Sequence, residues 1–211
     1  MRNDSEELKK QFSHGKASGH WQLSTRGWAG VYLIAAGIIL FIVSFISGLI
    51  FRGILTGEKE GTISISAAFF PAFLATIAAT IILHEAIHGL LFLVMGSKPR
   101  FGFRLLGKFF PVAYVTSNDL LSRNRYLVVA LGPLLILSTI CFVTAVMSTL
   151  TGIMLLALSA MAMNISGAIG DIAGTRHILK HSRDTFFQDT EDGFNWYSQE
   201  IPSPPFERQK Y

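Results

Sequence analysis

Four long apolar stretches constrain the fold of this chain more than any other feature. They run from about Trp28 to Phe51, Ile65 to Met95, Tyr126 to Met147 and Leu150 to Ile172. Each exceeds the roughly 20 residues that an α-helix needs to cross the hydrocarbon core of a bilayer. Charged residues make up 15% of the chain, whereas a soluble domain carries about 25%. The sequence therefore predicts an all-α polytopic membrane protein with about four transmembrane helices.

The distribution of lysine and arginine predicts how these helices are oriented. Five such residues precede the first stretch, two lie in the first loop, six in the second loop, none in the last turn and five after the fourth stretch. Cytoplasmic loops carry the excess of basic residues. We therefore expect both termini and the second loop on the cytoplasmic side of the plasma membrane. Residues 1–27 and 182–211 are expected to be polar tails, with the transmembrane domain over residues 28–181 between them.

The second loop, Ser97–Arg125, is expected to contain a short β-hairpin between the second and third helices. Glycine and proline residues interrupt any helical pattern in this loop. The segments Phe101–Leu105 and Val112–Thr116 have the composition of strands. We expect the hairpin to lie against the membrane surface; an irregular loop is the alternative.

A polar cluster interrupts the second apolar stretch, where His84, Glu85 and His88 form the pattern H-E-x-x-H. Residues four apart lie on one face of a helix, so both imidazoles can bind one zinc ion. Glu85 is offset by about 100° and is placed to act as a general base. A charged residue at the bilayer centre costs on the order of 2.5–3.5 kcal/mol, which is why such residues are usually functional. The alternative is a pair of core histidines with a neutral glutamate, satisfied by neighbouring helices.

A catalytic zinc needs a third protein ligand and an open position. Asn164 and Asp171 lie seven residues apart in the fourth stretch, on one helix face, and Gly167 between them allows two helices to approach closely. Asp171 is predicted to be the third ligand. Asn164 is predicted to hydrogen-bond the substrate backbone or the transition-state oxyanion. The alternatives are a helix-end carboxylate for Asp171 and an interhelical polar contact for Asn164.

The predicted orientation tests this assignment independently. The second and fourth helices both run from outside to inside, so His84, His88 and Asp171 all fall towards the cytoplasmic side.

His177 and His181 are also four apart, but basic residues surround them, and we interpret them as part of a basic juxtamembrane segment. No aromatic and basic module of the kind that binds nucleic acid is present.

These features resemble the site-2 protease class of intramembrane zinc metalloproteases. They resemble more closely a family of small bacterial and archaeal membrane proteins described as zincin peptidases. The resemblance rests on the H-E-x-x-H helix, the glycine-rich loop, Ala130–Pro133 at the start of the next helix and the late Asn and Asp, and it covers about Ile65 to His177. Site-2 proteases usually present the aspartate as Asp-Gly after prolines, whereas Asp171 follows a glycine and has no proline nearby.

The resemblance implies that His84, His88 and Asp171 bind zinc and that Glu85 is the base. It predicts a zinc-dependent endopeptidase that cleaves in or near transmembrane segments of other membrane proteins, within the lipid bilayer. The hairpin offers an edge that could hold an unwound substrate by β-addition. Two alternatives are a metal-binding or transport protein, which the apolar first helix disfavours, and a non-catalytic membrane adaptor. An adaptor has no need of a base, so the presence of Glu85 counts against it.

Overall fold

The computed structural model describes residues 17–23, 28–57, 66–106 and 110–198. Over these ranges the chain is mostly helical, with two small antiparallel sheets. The helices are α1 (Trp28–Thr56), α2 (Phe69–Val94), α3 (Arg123–Met147), α4 (Thr151–Gly167) and α5 (Ile169–Ile178). The strands are β1 (Gly19–Gln22), β2 (Arg100–Leu106), β3 (Phe110–Thr116), β4 (Leu120–Ser122), β5 (Phe186–Asp189) and β6 (Gly193–Tyr197).

The helices α1, α2 and α3 are each long and apolar enough to cross a membrane. In lipid, every backbone N–H and C=O must be satisfied within its own segment, which is why apolar runs of this length fold as helices. Helices α4 and α5 have the required length and composition only when taken together, and their axes differ by 42°. The chain is therefore a membrane protein, and its described residues include three candidate spanning helices and one bent pair.

The fourth apolar stretch differs from the single helix predicted from its sequence. The helix breaks at Ala168, between Gly167 and Gly170, and α5 then continues to Ile178. Glycine is a poor helix former, which weakens the helix around the break. The second half extends beyond the predicted end at Ile172 because its last turn packs into an apolar cluster, where Ile178 is 1% exposed.

Helix α1 packs against α4 through small residues. A Cβ atom on Gly48 would lie 2.7 Å from a methyl carbon of Leu158 and 2.9 Å from that of Met161. Further along the same interface, the Ser166 hydroxyl donates a hydrogen bond of 2.8 Å to the carbonyl oxygen of Gly37. Small residues of this kind let membrane helices approach closely. The remaining faces of α1 expose many large apolar side chains, as expected of a helix in contact with lipid.

A four-stranded antiparallel sheet, which we call the cap, joins parts of the chain that are distant in sequence. Its strand order is β1-β6-β5-β4, so a strand before α1, a strand before α3 and two strands after α5 lie side by side. Leu121, Phe187 and Phe194 of the cap pack with Phe92 of α2 and Ile178 of α5. The sequence did not predict this sheet. Residues 1–16 and 199–211 of the predicted polar tails lie outside the described residues.

The hairpin predicted in the second loop is present as β2 and β3. Phe101 pairs with Val115 and Phe103 pairs with Ala113. The two phenylalanines lie on one face of β2 and are 64% and 80% exposed. Contact of this face with the membrane surface stays a prediction.

Candidate active site

His84 and His88 lie one turn apart on α2, and both imidazoles point towards the same place. Their ring centroids are 4.9 Å apart and the ring planes meet at 72°. The two Nε2 atoms lie 3.2 Å from each other. The spacing predicted from the sequence is therefore realised, with both nitrogens available to a common ligand.

Asp171 of α5 completes a set of three possible metal ligands. Its Oδ2 atom lies 3.2 Å from Nε2 of His84 and 3.7 Å from Nε2 of His88. Zinc bonds of about 2.0–2.2 Å at tetrahedral angles separate neighbouring ligand atoms by about 3.3–3.6 Å. The triangle formed by these three atoms therefore fits one face of a tetrahedral zinc site, with the fourth position open. Among the described residues, His84, His88 and Asp171 form the one group of this kind.

The other ring nitrogen of each histidine is held by a hydrogen bond. Nδ1 of His88 lies 3.0 Å from the carbonyl oxygen of Val129, and Nδ1 of His84 lies 2.8 Å from Oδ1 of Asn164. A carbonyl oxygen can only accept, so each Nδ1 carries the proton and each Nε2 presents a lone pair. Contacts of this kind fix the ring orientation and the tautomer of metal-binding histidines.

Asn164 is 2% exposed and its amide group makes several hydrogen bonds. Its Nδ2 donates to the carbonyl oxygen of Pro133 at 3.1 Å and to Oγ of Ser138 at 2.8 Å, while its Oδ1 accepts from His84. These contacts favour the interhelical role that was the alternative for Asn164. Its direct contact with a substrate oxyanion stays a prediction.

Glu85 lines the same cavity as the three possible ligands. The backbone of Val115 in β3 lies against its carboxylate. The hairpin therefore lies directly against the predicted base, which the sequence order alone does not show. This contact connects the H-E-x-x-H motif on α2 to the edge of a β-strand.

The cavity has a volume of about 250 Å³, and both the membrane helices and the cap contribute to its walls. Trp21 of β1 and the turn Asp189–Gly193 line it on the cap side. The Tyr126 hydroxyl donates a hydrogen bond to Asp189 at this wall. Burial raises the pKa of Asp189 to about 7, and the hydrogen bond from Tyr126 opposes that shift. Sequence reasoning missed both residues, because nothing near Asp189 in the polar tail indicates that it reaches the motif.

His177 and His181 are separate from the possible metal ligands. Their rings are 5.3 Å apart, and both pack against Trp196, with centroid distances of 5.2 Å and 4.8 Å. Trp21 also packs against His177, with a centroid distance of 5.9 Å. These histidines thus belong to an aromatic cluster between α5 and the cap.

A family model described as "Putative zincin peptidase" matches residues 77–186, just over half of the chain. The matched segment contains the H-E-x-x-H motif, the hairpin, α3, α4 and Asp171. Comparisons with curated proteins and with solved structures give no match.

Proposed function

Because this chain belongs to the zincin peptidase family, we propose that it is a zinc-dependent endopeptidase that acts within the membrane on other membrane proteins. The observation that carries the proposal is the convergence of His84, His88 and Asp171 beside Glu85. These residues come from α2 and from the α4–α5 pair, and each of these segments is apolar enough to lie in a bilayer. Ionisable groups at such depth are costly and usually serve a function. The arrangement supports a likeness to site-2 proteases in chemistry and location.

The chain supplies the groups that peptide hydrolysis needs. His84, His88 and Asp171 would hold a zinc ion. Such an ion would act as a Lewis acid that polarises the substrate carbonyl and makes water a better nucleophile. Glu85 faces the same cavity and is the base that takes the proton from the attacking water. It then delivers that proton to the amine that leaves. Asn164 orients His84 throughout, through its hydrogen bond to Nδ1.

The edge of β3 is the proposed binding place for an extended substrate. Successive residues of an antiparallel strand direct their N–H and C=O groups alternately towards and away from the partner strand. The backbone of Val115 reaches Glu85, so Val115, Ala113 and Pro111 direct these groups away from β2. Proline, which has no N–H, is tolerated on a free edge of this kind. Ala113 therefore offers a donor and an acceptor to a substrate strand close to the base.

We propose that the chain crosses the membrane four times, with α4 and α5 together making the last crossing. The cap joins strands that precede α1, precede α3 and follow α5, and a sheet lies on one side of a membrane. An even number of crossings must therefore separate each of these strands from the next. With α3 as one crossing, the bent pair supplies the other. The excess of basic residues in the same segments favours the cytoplasmic side for the cap.

Cleavage of a membrane-embedded substrate tests the proposed activity. Purified protein in lipid nanodiscs, supplied with zinc, is mixed with a transmembrane peptide that carries a fluorophore and a quencher. We expect cleavage by the wild type and a loss of about 10²–10⁴-fold in rate for Glu85→Gln. Asp184→Asn is the matched control, because Asp184 is an exposed carboxylate outside the cavity.

This experiment, together with measurements of zinc binding and zinc flux, separates the alternatives. Equal rates for the wild type and Glu85→Gln would exclude Glu85 as the base. Zinc binding by a folded wild type that cleaves no membrane peptide would favour the non-catalytic adaptor. Zinc flux into proteoliposomes, absent with empty liposomes, would favour a transporter.

A further inference from the structure

One carbonyl group near the start of α3 lacks its helical hydrogen-bond donor. In an α-helix the C=O of a residue accepts from the N–H of the residue four positions later. For Val129 that residue is Pro133, which has no N–H. Pro133 is fully buried inside the helix. Buried backbone carbonyls are almost always paired, so the Val129 carbonyl needs a donor from elsewhere.

His88 is that donor. Its Nδ1 atom lies 3.0 Å from the Val129 carbonyl oxygen, and its Nε2 atom faces His84 and Asp171. We propose that Pro133 is a positioning residue. Because proline has no N–H, the Val129 carbonyl stays available to accept the hydrogen bond from His88. With an N–H at position 133, the helix would satisfy this carbonyl itself. The imidazole would then lose the contact that sets its tautomer and its direction.

The same stretch of α3 also orients the other histidine. The carbonyl oxygen of Pro133 and the hydroxyl of Ser138 accept from Nδ2 of Asn164, at 3.1 Å and 2.8 Å. The amide is thereby turned so that its oxygen faces His84. A single proline-containing stretch thus determines the direction of both imidazoles.

The residue before the proline lets the two helices come close enough for these contacts. A Cβ atom on Gly132 would lie 2.0 Å from Cδ1 of Leu91 in α2. Leu91 is one turn beyond His88, so α3 packs against α2 beside the possible ligands. The dipeptide Gly132-Pro133 therefore combines close approach with an available carbonyl. This inference rests on the proposed zinc site, but not on the reaction proposed for it.

If Pro133 positions His88, replacing Pro133 should change zinc affinity and protein stability in different ways. The variant Pro133→Ala restores an N–H that can bond to the Val129 carbonyl. We expect its zinc affinity, measured by chelator competition in detergent, to fall by about 10–100-fold. Its thermal stability without metal should stay equal or rise, because the helix gains a hydrogen bond. A proline with a purely structural role would lower stability and leave the zinc affinity of the folded fraction unchanged.

The matched control is Pro71→Ala in α2. Pro71 lies in the first turn of that helix, where an N–H has no helical acceptor in any case. We expect its zinc affinity to equal that of the wild type. Unchanged zinc affinity in a folded Pro133→Ala variant would overturn the proposal.

A measurement on the wild type tests the hydrogen bond between His88 and the Val129 carbonyl even if Pro133→Ala does not fold. Nitrogen NMR of zinc-loaded protein labelled at histidine should show His88 bound through Nε2, with a slowly exchanging proton on Nδ1. Binding through Nδ1, or a rapidly exchanging Nδ1 proton, would contradict the role of the Val129 carbonyl. Neither the zinc affinity nor the NMR measurement depends on proteolysis. Both therefore test the role of Pro133 even if the protein proves to have no peptidase activity.

Discussion

Nδ1 of His84 lies 2.8 Å from Oδ1 of Asn164, although the two residues are 80 positions apart in the chain. The contact connects α2 to α4 at the level of the possible metal ligands. Asn164 therefore orients His84, and this role can be tested separately from any contact with the substrate.

The variant Asn164→Ala should lose zinc affinity by about 10–100-fold, because His84 loses its orienting acceptor. It should also lose about 1–3 kcal/mol of stability, since buried groups on α3 lose their donor. Chelator competition and thermal unfolding in detergent measure the two effects. Normal zinc affinity together with a large fall in kcat would instead support the oxyanion role expected from the sequence.

The metal content of purified protein should depend on all three proposed ligands. Elemental analysis should find about one zinc per chain in the wild type, and much less in His88→Ala and Asp171→Ala. The exposed carboxylate variant Asp184→Asn should retain the wild-type amount. Loss of zinc in His88→Ala alone would mean that the third ligand is not Asp171.

Asp189 should make the metal-free protein less stable as the pH rises. Burial raises the pKa of Asp189 to about 7 from its ordinary value of 3.8. Between these values the folded state holds a proton that the unfolded chain has lost, so the free energy of unfolding falls as the pH rises towards 7. The loss should total about 4 kcal/mol and should level off above pH about 7.

Asp189→Asn keeps an oxygen that can accept from Tyr126 and removes the titration. Thermal unfolding between about pH 5 and 8, with a chelator present, should show a falling midpoint for the wild type. The slope should be markedly smaller for the variant. Parallel profiles for the two proteins would rule out an elevated pKa for Asp189. Metal is removed because a divalent cation in the same cavity favours the ionised carboxyl.

Gly193 in β6 should tolerate no side chain. A Cβ atom there would lie 1.9 Å from the carbonyl oxygen of Trp21 and 3.0 Å from Cα of Gln22, and backbone atoms cannot rotate away. Gly193→Ala should cost about 1–3 kcal/mol and expose the segment around β1 to protease. Gly152→Ala is the control, because no atom lies within 4 Å of its added Cβ. Equal protease resistance of the two variants would contradict the observed pairing of β1 with β6.

The hairpin should contact the bilayer through Phe101 and Phe103. A nitroxide on Phe103→Cys, in a Cys141→Ser background, should be accessible to oxygen in the lipid and shielded from a water-soluble nickel complex. A label on Asp184→Cys should show the reverse, because Asp184 is exposed and polar. A label at position 103 that behaves like the one at position 184 would place the hairpin in water.

The parts of the fold that follow from local rules could be predicted from the sequence. Helix spacing places His84 and His88 together whatever the rest of the chain does, and long apolar runs become helices in lipid. The approach of Asp171 to these histidines depends on tertiary packing. Its prediction required a family resemblance and the pattern of basic loops in addition to the spacing.

The cap and the break at Ala168 could not be predicted in this way. Strand β1 has four residues and pairs with a strand more than 170 positions later, with Gly19 opposite Trp196. Such short strands carry little local signal, and their pairing is decided by contacts across the whole chain. Pro133 was visible in the sequence, but its effect on the Val129 carbonyl required knowing which side chain faces that carbonyl.

The pairing of β1 with β6 also determines when the cavity becomes complete during biosynthesis. A chain is made from its N-terminus, so β1 has emerged long before its partner exists. Trp21 and the turn Asp189–Gly193, which line the cavity from the cap side, can meet only after the residues that follow α5 have been synthesised. A nascent chain that already contains the H-E-x-x-H helix therefore still lacks one wall of the cavity. A partly made chain therefore has an incomplete site until β5 and β6 have been synthesised.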